Sequence, residues 1–224
     1  AGNALSSLYI SRFTTGSATN ASLAYHWPLD GNGRDEAGGN HGELSNGQFS
    51  EGGLALNAAG QLSLDDDVSG ILGGSATVSF YLKTTQSGSN NAWQAPGLFG
   101  RDNENGTEDV FWGWLDSNGR LRLSAGNDAG ISTQQAVNNG EWRHIVLSRN
   151  SADGALSIWL NGERVASGSA RAGILGGAWY NSYQTLGRIL QQGQALQGVI
   201  DDVRVYNRVL SDNEIQTLAA TPVL

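Results

Sequence analysis

Residues 196–218 read LQGVIDDVRVYNRVLSDNEIQTL, and the reading of this stretch decides the fold. Its first half is a strand, and its start carries two adjacent carboxylates, Asp201 and Asp202. Neighbouring strand residues point to opposite faces, so at most one of the two can face solvent in the ordinary way. The other needs hydrogen-bond donors, a counter-charge or a cation. The second half is a helix start: Ser211 followed three positions later by Glu214 is a capping box, and Ile215 and Leu218 follow at helical spacing. The stretch therefore reads as strand, turn, short helix.

Working outward, the chain has 224 residues, one large domain or two small ones by length, and ample for a real core. Charged residues make up only 15%, Gly numbers 32, Pro 3 and Trp 7, which suits a turn-rich all-β protein. A net charge of −8 argues against nucleic acid, polyanions or an anionic membrane as partner and is compatible with calcium or neutral sugars. With Cys 0 there is neither a disulfide nor thiol chemistry. With Met 0, a domain cut from a longer polypeptide, flanked by neighbouring domains, is expected. No apolar run approaches the length of a membrane span and no signal peptide is visible, so no membrane insertion is expected. The composition fits an extracellular or bacterial cell-surface protein.

Residues 1–22 are Ser/Thr/Ala/Asn-rich apart from SLYISRF at 7–13 and read as an added strand or a linker, and 23–224 read as the folded domain. From Leu23 onward strands follow one another: LAYHWPL (23–29), GLALN (53–57), QLSL (61–64), ATVSFYLKT (76–84), LFGR (98–101), DVFWGWLD (109–116), RLRLSAG (120–126), WRHIVLSR (142–149), ALSIWLN (155–161), ERVASGS (163–169), QTLGRI (184–189) and VIDDVRVYN (199–207). Gly, Asn and Asp fill the gaps, and Asn161-Gly162 sits where a type I′ hairpin turn belongs. In DVFWGWLD, alternation sets Val110, Trp112 and Trp114 on one face against Phe111, Gly113 and Leu115 on the other. GILGG occurs at both 70–74 and 173–177 and marks two loops of similar job. Many short strands with one terminal helix mean an all-β sandwich of antiparallel sheets.

Five motifs then fall in order: AYHWPLDGNGRDEAGGNHGEL, ATVSFYLKT, NNGEWRHIVLSRNSADGALSIWLNGERVASG, TLGRI and GVIDDVRVYNRVLSDNEIQTLAA. Together they resemble the laminin-G-like, concanavalin A-like lectin/glucanase superfamily, in the form found as binding modules of bacterial surface adhesins. The resemblance covers residues 23–220. It implies a concanavalin A-like jelly roll of two curved antiparallel sheets with a short C-terminal helix, a structural Ca²⁺ on its outer side and a surface or concave-side binding site.

The residues themselves offer calcium ligands. Ca²⁺ takes six to eight oxygens from a compact loop. DGNGRDEAGGNHG supplies Asp30, Asn32, Asp35, Glu36 and Asn40, without the spacing of an EF-hand. The resemblance implies a metal held between this loop and the last strand, by Asp30 and Asp201, with Asn40 and Asp202 as further candidates. A second acidic loop, RDNENGTED (101–109), is either solvated or holds another cation, through Asp102 and Asp109. Arg101, Asp102, Asn103, Glu104 and Asp109 there, with Trp93 of NNAWQAPG and Trp179, Tyr180, Asn181 and Tyr183 of GGAWYNSYQ, form the candidate glycan site. A ring stacks on the apolar face of a sugar while amides and carboxylates take its hydroxyls. Neutral or fucosylated glycans are the expected ligands. His144 reads as a satisfied strand residue, and His26 and His41 carry no assigned chemistry.

No catalysis is expected. The strand motif E-x-D-x-(x)-E of retaining glycosidases is missing, as are the Gln/His and Tyr-x-Lys sets of lyases and a G-x-S-x-G elbow. The expected function is a calcium-dependent lectin module of a secreted bacterial adhesin that attaches to cell-surface glycans. The alternatives are a calcium-stiffened structural or protein-binding spacer, or the carbohydrate-binding appendage of a polysaccharide-degrading enzyme.

Overall fold

The computed structural model describes residues 21–50, 52–101, 107–126, 129–175, 184–189 and 193–220. Thirteen strands among them form two antiparallel sheets. The larger is built from β1 (Leu23–Trp27), β2 (Gly42–Ser50), β3 (Gly53–Leu64), β4 (Ala76–Lys83), β9 (Arg143–Arg149), β10 (Ala155–Leu160), β11 (Glu163–Ser169), β12 (Thr185–Leu186) and β13 (Gly198–Tyr206). Its order is β11-β10-β9-β4-β13-β3-β12, with β1 added to β13 and β2 to β3. The smaller sheet runs β5 (Gly97–Arg101), β6 (Val110–Leu115), β7 (Arg120–Ala125), β8 (Gly130–Ala136). The expected two-sheet sandwich is therefore present. Among the described residues no helix is long and apolar enough to cross a membrane.

The core lies between the sheets. Val78, Phe80 and Leu82 of β4, Ile145 and Leu147 of β9, and Val203 and Val205 of β13 meet Val110 and Trp112 of β6 and Leu121 and Leu123 of β7. Each fully buried side chain of this size contributes ~1.5–3 kcal/mol through the hydrophobic effect. A second cluster covers the outer side of the small sheet: Phe111 and Trp114 under Ala92, Ala95 and Ile189. A third, Val146, Trp159, Tyr206, Leu210 and Ile215, seats helix α2 (Asp212–Ala219) on the outer side of the large sheet.

This packing corrects the expected alternation in β6. Trp112 lies in the main core and Trp114 in the outer cluster, on opposite faces. The register of β6 against β7 shifts between them, where Gly113 adopts φ +69°. An extra residue in the left-handed conformation inverts the alternation beyond it. Two strands were not anticipated, β2 and β8. Both are outermost in pairing and mostly exposed, so their polar sequences GELSNGQFS and GISTQQA carry no apolar alternation. GLALN and QLSL are one strand, β3, of twelve residues.

Local chemistry agrees elsewhere. Ser211 caps α2 by accepting from the Glu214 amide, and Glu214 returns the bond to the Ser211 amide. Asn161 and Gly162 take φ +51° and +82°, as a type I′ turn requires. The two GILGG copies pair with each other. The first forms helix α1 (Ser69–Leu72) and runs on to Gly73, whose carbonyl accepts from the Leu175 amide at 2.8 Å. A Cβ on Gly73 would lie 1.9 Å from the Leu175 oxygen, so only glycine permits this approach.

Between the two copies sits Arg149, wholly buried. Its Nη1 donates to the carbonyls of Gly73 (3.0 Å) and Gly74 (2.9 Å). Its Nη2 donates to those of Arg171 (2.9 Å) and Gly173 (2.8 Å). One planar guanidinium thus binds both loops to β9.

Candidate functional site

The two carboxylates on β13 sit at a bulge. Asp201 pairs with Tyr81 and Arg204 with Ser79, three steps on β13 against two on β4. Asp202 absorbs the extra step with φ +48°, and its amide donates to the Pro28 carbonyl at 3.2 Å. The bulge releases the pair from strict alternation, and the two side chains meet different fates. Asp202 accepts from His26 Nε2 at 2.7 Å and pairs with Arg204 at 3.0 Å. Burial pulls its carboxyl upward, but the His26 hydrogen bond and the Arg204 charge outweigh this and hold it below the usual range.

Asp201 is 1% exposed, and neither carboxylate oxygen accepts a well-formed hydrogen bond; the adjacent Asp202 amide, which donates to Pro28, favours its charge without offsetting burial. Burial, then the nearby charge of Asp30, pushes its carboxyl up to about 6. A buried carboxylate without well-formed hydrogen bonds is costly unless a cation meets it.

The loop after β1 supplies less than its composition suggests. Asp35 is an organiser: Oδ1 accepts from the amides of His26 (2.8 Å) and Ala37 (2.9 Å), Oδ2 from those of Gly38 (3.0 Å) and Asn40 (2.9 Å). Asn40 locks Asp66, with Nδ2 donating to its carbonyl (2.9 Å) and Oδ1 accepting from its amide (2.8 Å). Both polar atoms of the Asn40 side chain are thus committed. Asn32 caps the turn by accepting from the Arg34 amide at 2.9 Å. His41 Nδ1 accepts from the Asp35 amide at 3.1 Å. Of the expected metal ligands, the structure brings Asp30 and Asp201 within electrostatic reach, while Asn40 and Asp202 are engaged elsewhere. Asp109 is buried at the start of β6 in the other sheet, and Asp102 lies outside the described residues. No group of three or more His, Cys, Asp or Glu able to hold a metal occurs among the described residues, so side-chain carboxylates alone do not complete a calcium shell.

His144 stands beside this centre, its ring 4.7 Å from that of Tyr81. Its Nε2 shares a hydrogen bond of 2.9 Å with Ser79 Oγ, but Nδ1 is buried without a partner. The residue read as satisfied is thus only half so. Ser79 and His144 do not make a triad, because no carboxylate orients Nδ1. Burial, which outweighs the upward pull of Asp202, pushes the imidazole down to about 4. The unfolded ring titrates near ~6.5. The folded ring stays neutral while the unfolded one takes a proton, so stability falls as pH drops from ~6.5 towards the folded value. That loss reaches up to about 3 kcal/mol. Replacing His144 with glutamine should flatten this acid limb in denaturant titrations between pH 4 and 7. Comparison with the parent separates it from Asp201, which titrates in the same window with the opposite sign. An unchanged acid limb would show that His144 is not its source.

The candidate glycan residues divide. Asp102, Asn103, Glu104, Trp179, Tyr180, Asn181 and Tyr183 lie outside the described residues, as does the Arg101 side chain. The segments leading into those two loops do meet, since Arg171 Nη1 donates to the Thr107 carbonyl at 2.7 Å. Trp93 belongs elsewhere, on a 3₁₀ turn (Ala92–Gln94) beside the β6–β7 turn, where Asn90 Oδ1 accepts from Ser117 Oγ at 2.9 Å. That is the opposite end of β6 from Asp109.

This second end also carries Trp142, which in the sequence is simply the first residue of the strand run WRHIVLSR. Trp27, Trp112, Trp114 and Trp159 are buried, whereas Trp93 is 45% and Trp142 41% exposed. Both belong to loops that gather there. Ser87 accepts from Asn138 Nδ2 at 3.1 Å, and the Gly140 amide donates to the Thr84 carbonyl at 3.0 Å. Exposure, which no local pattern encodes, is what distinguishes Trp142.

A family model described as the concanavalin A-like lectin/glucanases superfamily matches residues 56–216. The chain is 30% identical over 113 residues to a pentraxin fusion protein of Xenopus laevis, covering 47% of this chain and 26% of that protein. It is 26% identical over 111 residues to the pentraxin-related protein PTX3 of Mus musculus, covering 46% and 29%. The chain thus matches little more than a quarter of the length of either relative. Among solved structures it resembles domain 4 of AbnA, a GH43 extracellular arabinanase from Geobacillus stearothermophilus in complex with arabinotriose. There the TM-score is 0.67 and the identity 21%, over 88% of this chain and 98% of that one. It also resembles a mutant Trypanosoma rangeli sialidase displaying trans-sialidase activity (TM-score 0.64, 19% identity, 89% and 33% covered). The binding domain of Paraclostridial Mosquitocidal Protein 1 is similar as well (0.63, 17%, 90% and 52%). At these identities the likeness is one of fold. The family match runs from within β3 to within α2, across both sheets, and by it the chain belongs to the concanavalin A-like lectin/glucanases superfamily.

Proposed function

We propose that this chain is a non-catalytic carbohydrate-binding module of a secreted bacterial adhesin, which attaches to cell-surface glycans and is stiffened by calcium. The observation that carries the binding reading is the pair of exposed tryptophans, Trp93 and Trp142, on loops at one end of a sandwich whose other described tryptophans are buried. The same loops carry amide and hydroxyl side chains: Asn90, Asn91, Gln94, Asn138 and Thr85. Rings for the C–H face of a sugar and amides for its hydroxyls are what a saccharide site needs. The arabinanase domain of similar fold, solved with arabinotriose, supports the same reading.

The calcium reading rests on Asp201, whose buried oxygens lack well-formed hydrogen bonds while Asp30 adds a second charge nearby. Asp30 and Asp201 would hold the ion, with carbonyls and water completing its shell. The ion's contribution is neutralisation, tying the loop after β1 to β13.

The non-catalytic reading is supported by the structural roles of three acids, while the buried Asp201 is assigned to the ion above together with Asp30, the carboxylate whose charge weighs most on it. Asp35 serves four amides, Asp202 serves His26 and Arg204, and Asp116 serves the amides of Asn118 and Arg120.

A glycan array probed with the labelled chain, in calcium and again in chelator, tests the whole. Hits in calcium that weaken in chelator are the expected result. A blank array, with calcium still raising the melting temperature, would replace the lectin reading with that of a structural or protein-binding spacer.

A further inference from the structure

The geometry points to one saccharide site, a cleft at the β4–β13 edge of this same end that takes a neutral oligosaccharide with Trp142 as its stacking platform. The inference rests on the lectin reading above and specifies where it acts. The cleft is lined by Lys83, Thr85, Gln86, Gly140, Gln197 and Val199. Its floor is the outer side of the large sheet, where Val199 pairs with Lys83. Arg143 pairs with Leu82, so continuing that register by one places Trp142 beside Lys83. Alternation along β9 puts Trp142 on the side of His144, whose ring meets Tyr81 one row inward.

The cleft is rigid. Gln86 Nε2 donates to the Ala195 carbonyl (3.0 Å), and its Oε1 accepts from the Gln197 amide (2.8 Å). Thr84 Oγ1 donates to the Gln197 carbonyl (2.6 Å). These bonds fix the 195–198 segment against the start of the 84–97 loop and leave the exposed Gln197 side chain to point outward.

The lining decides the ligand class. Lys83, the chain's single lysine, is the one charged group in it, and among the described residues it has no acidic partner. The remaining wall is hydroxyl, amide, glycine and valine. Glu141, close in sequence, is held by Arg143 at 3.0 Å. A −8 chain with a single cation at the site disfavours a polyanionic glycan. Trp142 stands beside Lys83 outside the lining itself, so a pyranose stacked on its ring would extend its hydroxyls into the cleft toward Lys83 and Gln197.

The test is calorimetric titration of the intact chain, in calcium, with soluble gluco-, manno-, galacto-, xylo- and arabino-oligosaccharides and a hexuronate oligosaccharide. For the tightest neutral binder, Trp142→Ala should weaken affinity roughly tenfold or more, with Trp142→Phe restoring part of it. Gln197→Ala should weaken it severalfold at the parent's melting temperature, because that side chain is exposed, whereas Trp142→Ala, whose ring is 41% exposed and otherwise covered, should melt lower yet unfold in one cooperative step. Parent-like affinity in Trp142→Ala and Gln197→Ala would overturn the cleft and leave the lectin reading standing. Binding of the hexuronate alone, lost in Lys83→Ala, would overturn the neutral class. No binding of any saccharide by the parent chain would overturn both the cleft and the lectin reading.

Discussion

Arg149→Ala should lower the melting temperature by on the order of 10 °C and blunt the cooperativity of unfolding. The side chain is wholly buried and donates to four carbonyls, two from each GILGG loop. Truncation opens a cavity and removes the charged donor from the carbonyls of Gly74, Arg171 and Gly173, while that of Gly73 keeps the Leu175 amide. Each buried carbonyl left without a donor costs ~1–3 kcal/mol, and each kilocalorie moves the midpoint of a domain this size by ~2–4 °C. Arg149→Lys should recover less than half of the loss, because an ammonium on a flexible stem is a point donor and cannot span four acceptors set by a planar fork. The defect should also reach the loops beyond, since the Arg171 carbonyl that Arg149 holds belongs to the residue whose side chain anchors Thr107. Calorimetry decides: a shift of less than ~2 °C in Arg149→Ala would mean that water replaces the guanidinium at little cost.

Asp201→Asn should have the opposite sign in chelator and remove the response to calcium. In the parent, two buried oxygens carry a charge that no well-formed hydrogen bond meets, with Asp30 adding repulsion. The amide discards that charge at nearly constant volume, so the variant should melt on the order of 5 °C above the parent in chelator at pH 7. In excess calcium the order should reverse, because a ligand bound only by the folded parent stabilises it by mass action. Differential scanning fluorimetry of both proteins in the two buffers supplies all four midpoints. If neither protein responds to calcium, the assignment of Asp30 and Asp201 as its ligands fails.

The ends of regular elements were legible because their determinants are local. Ser211 and Glu214 fix the start of α2 by a reciprocal bond across three residues, and Asn161-Gly162 fixes a turn through backbone angles alone. Strands facing the core were legible from their apolar runs. What failed was anything set by a partner far along the chain. β2 and β8 are held by one neighbour each and show polar side chains to solvent, so nothing within them reads as a strand. Trp114 was placed on the wrong face because the bulge at Gly113 is a property of the pairing with β7. Asn40 looked like a calcium ligand from the composition of its loop, yet its amide is taken by the backbone of Asp66, 26 positions away. The charge of Asp30 does act on Asp201, although only the family resemblance had joined the two. Trp142 escaped notice because exposure emerges from the whole surface.

The position of β13 has a consequence for how the chain assembles as it is made. It is the last of the thirteen strands in sequence, yet it lies between β4 and β3 and also carries β1. A ribosome emits its three partners, β1, β3 and β4, well before it emits the strand that joins them. Until residues 198–206 appear, β3 and β1 have no β13 to pair with, and β4 has β9 alone. Closing contacts as distant as Leu23 with Tyr206 spends loop entropy before packing returns it, which slows folding. The nascent sandwich therefore waits, open along its middle, for its final strand.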